Sequence, residues 1–185
     1  MDSIYIEKVL SGDTEAFRFF VKTYKDYAFS ISYSVLKNTY SAEEAVQESF
    51  IKAFQNLSSF RSDAKFKTWF GRIVINESLR KLDSNKRETL SVENVLESSI
   101  ESVETCLQSL VKEEQTILIT SVFESMQPNE SLILDLFYLK ENSILEICEL
   151  TGWSKSKIKM LLLRGRKSFY FKLNKILKLE LEEIL

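Results

Sequence analysis

The sequence predicts an all-α chain of two small helical domains, and three observations carry that reading. Only four Gly and a single Pro, Pro128, occur in 185 residues, so tight hairpins lack their usual turn residues. Apolar side chains recur at helical spacing through most of the chain, and apolar residues make up 44% of it, enough for one or two cores. Ser-x-x-Glu capping boxes stand at Ser41–Glu44 and Ser143–Glu146, where helices begin.

Taken in order, Asp13 caps a helix to about Asn38, with Ala16, Phe17, Phe20, Tyr24, Tyr27, Ile31 and Val35 at its spacing. Ser41 is expected to cap the next, which runs to about Leu57 and buries Val46, Phe50, Ala53, Phe54 and Leu57. Its other side shows Glu43, Glu44, Gln47 and Glu48, with Ile51 beside them. A polar loop, Ser58 to Asp63, leads to a helix from about Phe66 to Leu82. That helix buries Trp69, Phe70, Ile73, Val74 and the stem of Glu77, and displays Lys67, Arg72, Asn76, Arg80 and Lys81. Thr89 to Glu104 is rich in Ser and Glu and reads as a linker with little power to form a core. A helix follows from Val103 or Ser109 to Glu124, and Pro128 opens another to Leu139.

The last elements carry the clearest chemistry. A short helix from Ser143 to Leu150, the turn Thr151-Gly152-Trp153 and a long helix capped by Ser154 form a helix-turn-helix arrangement. Ile144 and Ile147 are expected to face Ile158 and Leu162, with the small Cys148 at the crossing. On the final helix Ile158, Leu162, Gly165 and Phe169 fall in one arc, the core side, and Leu161 sits on a flank. The opposite side collects Lys155, Ser156, Lys159, Met160, Leu163, Arg164 and Lys167, with Lys157 at its edge. A membrane-surface helix would turn its bulky apolar residues outward, and here most point inward. Each lysine singly fits a solvated surface; the cluster fits a major groove, with Lys155, Ser156 and Lys159 at base edges, Met160 and Leu163 on thymine methyls, and Arg164, Arg166 and Lys167 on phosphates.

Charge is distributed to match. The net charge of −2 conceals 14 basic and 11 acidic groups in residues 1–87, one basic and 10 acidic in 88–139, and nine basic with no acid in 151–179. A polyanion would dock on the ends and be repelled by the middle. The chain has no histidine, and its two cysteines, Cys106 and Cys148, are far apart. Nucleophile–histidine catalysis and most zinc sites are thereby excluded, and no cofactor, metal or catalytic constellation is expected. No secretory leader or membrane-spanning run is seen, which predicts a cytoplasmic protein without membrane insertion.

The motifs GDTEAFRFFVKTY, SAEEAVQESFIKAF and FKTWFGRIVINESLRKL, followed by SILEICELTGWSKSKIKMLLLRGRKSF, resemble regions 2 and 4 of bacterial sigma-70 family factors of the extracytoplasmic-function (ECF) group. The resemblance implies a region 2-like bundle over 1–87, an acidic flexible linker over 88–108 and a region 4-like helix-turn-helix domain over 109–185. It implies that Glu43, Glu44, Gln47, Glu48 and Ile51 dock on the β′ coiled coil of core RNA polymerase, with the β flap a second contact. Promoter −10 DNA would meet Ser59, Phe60, Arg61 and Ser62, which could wall a pocket for an unstacked base, and Lys65, Lys67, Arg72, Asn76 and Arg80. Trp69 is open to two roles, core residue or melting wedge. The −35 element would meet the basic last helix, and the linker would thread the polymerase cleft. An anti-sigma partner is implied by the group. The family often has Arg and His at the positions of Leu161 and Leu163, and Asp or Asn at that of Arg80, so the promoter sequence is not implied. A stand-alone helix-turn-helix regulator and a decoy that sequesters an anti-sigma factor are the alternative readings.

Overall fold

The computed structural model describes residues 1–60, 65–89 and 107–184, with the side chains of 86–89, 107–115 and 178–184 outside that description. Among the described residues every regular element is helical.

Helix α1 (Asp2–Leu10) is tied down where the Tyr24 hydroxyl donates to Asp2 Oδ2 at 2.7 Å and Tyr5 stacks on Phe19 at 4.0 Å. Asp13 then accepts the Ala16 N–H at 3.2 Å and opens a 3₁₀ turn, Thr14–Phe17, that continues as α2 (Arg18–Leu36). Helix α2 ends as Lys37 turns left-handed, φ +57°. Helix α3 (Thr39–Gln55) is capped by Asn38, whose side chain accepts the Ser41 N–H at 2.8 Å. The expected cap at Ser41 therefore lies inside the first turn. Asn38, extended beside the left-handed Lys37, reaches the free amides earlier. This frees Glu44 to pair with Lys81 at 2.6 Å.

Helices α2, α3 and α4 (Phe66–Thr89) pack into a bundle around aromatic rings. Phe20 meets Phe66 at 4.3 Å, Phe50 meets Phe70 at 4.6 Å, and Phe66 stacks on Phe70 at 5.9 Å. Each such pair adds about 0.5–1.5 kcal/mol beyond its buried area. Buried serines let the helices approach, with Ser78 Oγ 3.0 Å from Ser32 Oγ.

The second half comprises α5 (Leu107–Ser125), α6 (Pro128–Leu134), a π-helical turn (Asp135–Leu139), α7 (Ile144–Thr151) and α8 (Lys155–Ile184). Pro128 occupies the first turn of α6, where its missing N–H costs nothing. Leu132, Ile133, Leu136, Ile147, Ile158 and Leu162 form the core of this half. Helix α4 runs two residues past 87 and α5 starts two before 109; residues 90–106 of the expected linker lie outside the description. Both halves are in contact. Helix α6 packs on α2 and α7 on α4, at Gly71, where a Cβ would come 2.9 Å from Leu150 Cδ2 and 2.6 Å from the Tyr27 hydroxyl.

Candidate nucleic-acid interface

The capping box at Ser143 is complete: its hydroxyl accepts the Glu146 N–H at 3.3 Å, and the Glu146 carboxylate accepts the Ser143 N–H at 2.8 Å. Glu146 is accordingly held below the usual carboxylate range, through that backbone bond first. Helix α7 stops because Gly152 takes φ +70°, a conformation nearly free for glycine alone, while its N–H still bonds Cys148 O at 2.8 Å. Thr151 Oγ1 accepts the Trp153 N–H at 3.2 Å, and Ser154 Oγ accepts the Lys157 N–H at 3.3 Å, so the next helix starts at once. Ile147 and Ile158 are fully buried and Leu162 nearly so. Gly165 sits where α6 crosses α8; a Cβ there would lie 3.1 Å from Leu134 Cγ.

Mounted this way, α8 presents Lys155, Ser156, Lys157, Lys159, Met160, Leu163, Arg164, Arg166 and Lys167 to solvent. Met160 is 41% and Leu163 55% exposed, whereas Leu161, left on a flank by the periodicity, is buried. Two cations are engaged by rings. Lys157 lies 3.7 Å from the Trp153 centroid, and Arg166 rests against Phe137 and Tyr138 at 6.0 and 5.7 Å. Ser156, Met160, Leu163, Arg164 and Lys167 form the outermost stripe.

Helix α4 splits the −10 candidates. Lys65, just before it, then Trp69, Arg72, Asn76 and Arg80 share one side, four residues or fewer apart. Lys67 lies on the other side, its ammonium 4.8 Å from the Tyr27 centroid and near Glu146. Trp69 is half-buried, with its ring 5.3 Å from Phe60 and 5.5 Å from Phe66. Phe60 is itself edge-on to Phe66 at 6.0 Å, and Ser59 donates to Asn56 O at 2.7 Å. Arg61 and Ser62 lie outside the described residues.

Arg80 is bound on the α3 side. It meets Glu48 at 2.5 Å and Glu77 at 2.9 Å, and Glu77 also takes Lys52 at 2.5 Å. Burial pushes the Glu77 carboxyl up, but its bonds and charge from Lys52 and Arg80 outweigh that and hold it below the usual range. Glu43, Gln47 and Ile51 are exposed on α3, with Glu44 and Glu48 turned to Lys81 and Arg80. Sequence periodicity missed two members of this face. Tyr40 is 69% and Phe54 40% exposed, although Phe54 had been placed on the buried stripe. Its ring packs edge-on to Phe17 at 5.1 Å, so it is half core and half surface. A separate apolar groove of about 350 Å³ opens between α5, the π turn and α8, lined by Ile119, Phe123, Leu134, Tyr138, Leu139 and Phe169, with Arg166 at its edge. No helix among the described residues is long and apolar enough to cross a membrane.

The family pattern described as Sigma-70 region 2 matches residues 20–88. The chain is 28% identical over 171 residues to the ECF RNA polymerase sigma factor SigW of Bacillus subtilis, covering 88% of this chain and 91% of that protein. It is 24% identical over 185 residues to the ECF RNA polymerase sigma-E factor of Escherichia coli, 96% of each. Among solved structures, the Bartonella quintana sigma factor RpoE, in complex with the anti-sigma factor NepR, is similar in fold with TM-score 0.65, 18% identity and coverage of 85% and 96%. CnrH in complex with the cytosolic domain of CnrY is similar with TM-score 0.63, 16% identity and coverage of 93% and 96%.

Proposed function

We propose that the chain is a sigma-70 family factor of the ECF group, as its similarity to Sigma-70 region 2 and to ECF sigma factors supports, and that it binds core RNA polymerase in the cytoplasm and directs initiation at its own promoters. The observation that carries the promoter half is the geometry of α8: a core-anchored helix whose solvent side holds Ser156, Lys159, Arg164 and Lys167 around Met160 and Leu163. A helix with that face suits a major groove, where cations hold phosphates and the two apolar side chains favour thymine methyls. On this reading Lys157 and Arg166 lie closer to the rim, because their rings hold them aside.

The polymerase half rests on α3. Tyr40, Glu43, Gln47, Ile51 and Phe54 make an acidic, partly apolar surface of the kind a basic coiled coil would complement. The apolar groove beside Arg166 is the natural seat for the flap contact. The −10 contact falls to the stripe Lys65, Arg72 and Asn76, with Arg80 shared between DNA and Glu48. Residues 1–87 and 109–185 would act as separate DNA-reading units, the residues between them lying in the polymerase cleft. An anti-sigma factor would be a further partner of the chain, as NepR is of the Bartonella quintana sigma factor RpoE.

Run-off transcription with purified core polymerase on a genomic promoter library tests this. Specific transcripts that need the chain are expected, and Glu44→Lys should weaken core binding in a pull-down titration. Tight binding to duplex promoter without core, and no transcripts with it, would instead point to a stand-alone regulator.

A further inference from the structure

A cavity of about 300 Å³ opens between α2, α5 and the π turn, apart from the faces of α3, α4 and α8 assigned above. Its volume is at the small end of the range for ligand sites, about 300–1,000 Å³. Phe29 from α2, Ile119 and Phe123 from α5 and Leu139 from the π turn form apolar walls. Ile119 and Leu139 are 41% and 57% exposed, which places the mouth on their side, while Phe29 and Phe123 are half-buried. Asp135, Lys37 and Glu124 make the rest of the lining polar, and Asp135, 3% exposed, is its most buried charge.

What these polar groups lack is a donor. Four hydroxyls line the cavity, and each already donates elsewhere. Ser30 donates to Asp135 Oδ1 at 3.5 Å and Tyr33 to Glu124, while Ser34 donates to Ile31 O and Thr120 to Thr116 O, both at 2.8 Å. The Lys37 ammonium donates to Ser131 Oγ. Among the described residues Asp135 Oδ2 is buried without a partner, and the single bond to Oδ1 is long. A buried acceptor left this way costs free energy, and in a native structure it has a reason. Burial pushes the Asp135 carboxyl up to about 6, with Lys140, Ser30 and Lys37 pulling the other way. At neutral pH it is therefore charged but poorly solvated. Two carboxylates against one ammonium also leave the lining with an excess of negative charge.

We propose that this cavity is a binding site for a small arylalkyl amine, whose ammonium donates to Asp135 Oδ2 and whose ring lies between Phe29 and Phe123. An ammonium supplies the missing protons and balances the excess charge; an anion or a pure acceptor would worsen both. Aromatic faces favour the same cation. Phe29 and Tyr33 are stacked with centroids 5.8 Å apart, and Phe123 lines the cavity from α5. A bare ammonium ion would answer Asp135 and leave the apolar walls wet, whereas a hydrocarbon would cover the walls and leave the carboxylate unpaired. The lining calls for both ends in one molecule.

Isothermal titration calorimetry of the full chain with phenethylamine, at about pH 7.5, tests the site. Phenethyl alcohol and hydrocinnamate serve as the neutral and anionic counterparts, and ethylamine as the head alone. One site per chain with a dissociation constant below about 1 mM is expected, and each counterpart should bind at least about tenfold more weakly. Asp135→Asn keeps the shape and removes the charge. It should weaken phenethylamine at least about tenfold with no loss of Tm, since a buried charge leaves with it. Ile119→Trp fills the cavity from its exposed mouth and should abolish binding at unchanged helicity, while Met160→Ala, on α8, should leave affinity as it is. No saturable heat at millimolar amine, equal affinity for the alcohol, or wild-type affinity in Asp135→Asn or in helical Ile119→Trp would each overturn the site. The titration contains neither polymerase nor DNA, so its outcome is independent of the transcription reading.

Discussion

Gly71→Ala sets two opposed effects against each other at one atom. Gly71 lies inside α4, away from either end, so alanine gains about 1 kcal/mol of helix propensity. The added Cβ would stand 2.6 Å from the Tyr27 hydroxyl and 2.9 Å from Leu150 Cδ2, with Tyr27 Cε1 at 3.4 Å. Both close atoms are side-chain ends, so the ring and the leucine can give way, but Leu150 is 2% exposed and has little room. Overpacking of this kind costs about 1–3 kcal/mol. Packing should win, leaving the variant about 1 kcal/mol less stable, a Tm lower by about 2–4 °C for a chain of this length. Thermal unfolding followed by circular dichroism reads that shift. Gly71→Ala combined with Leu150→Ala should show a coupling of at least about 0.5 kcal/mol, since the second change removes one side of the clash. A Tm raised by Gly71→Ala alone would mean that α7 does not sit against α4, and the reasoning would fail.

Other outcomes follow from the same contacts. Ser143→Ala removes one half of a complete capping box and should cost about 1 kcal/mol, read as a lower urea midpoint at unchanged slope. The Glu77 carboxyl is held down, so its contribution is present above the ordinary carboxylate range and lost as pH falls through its lowered value. Glu77→Gln should therefore flatten the acid limb of a stability–pH curve; an unchanged limb would show that Lys52 and Arg80 do not hold it. Lys155→Ala with Lys159→Ala should weaken −35 duplex binding in the polymerase complex and lower the salt slope by about 2, and an unaltered slope would remove both from the interface.

How much was legible beforehand differs from element to element. The helix-turn-helix was readable because its signals are local: Ser143 and Glu146 three residues apart, a glycine where the chain must turn left-handed, and apolar residues four apart at Ile158 and Leu162. The cap of α3 was misplaced because Asn38 and Ser41 are both good caps, and the choice depends on the left-handed turn at Lys37. Phe54 was assigned to the core because periodicity cannot see that Phe17 covers only one edge of its ring. Lys67 and Arg72 looked alike in sequence, yet five residues of helix put them on different sides of α4.

By itself the sequence determined the helical class, the turn at Gly152, the core side of α8 and the resemblance to a family, since each depends on residues within a few positions of one another or on a linear motif. Only the tertiary structure decided which charges remain free. Arg80 and Lys81 fall to Glu48 and Glu44, Lys157 and Arg166 to aromatic rings, and Asp135 to a half-satisfied place between the two units. Those pairings join residues 28 to 105 positions apart or lie across a turn, and charge interactions act through space at distances that no spacing along the chain reports.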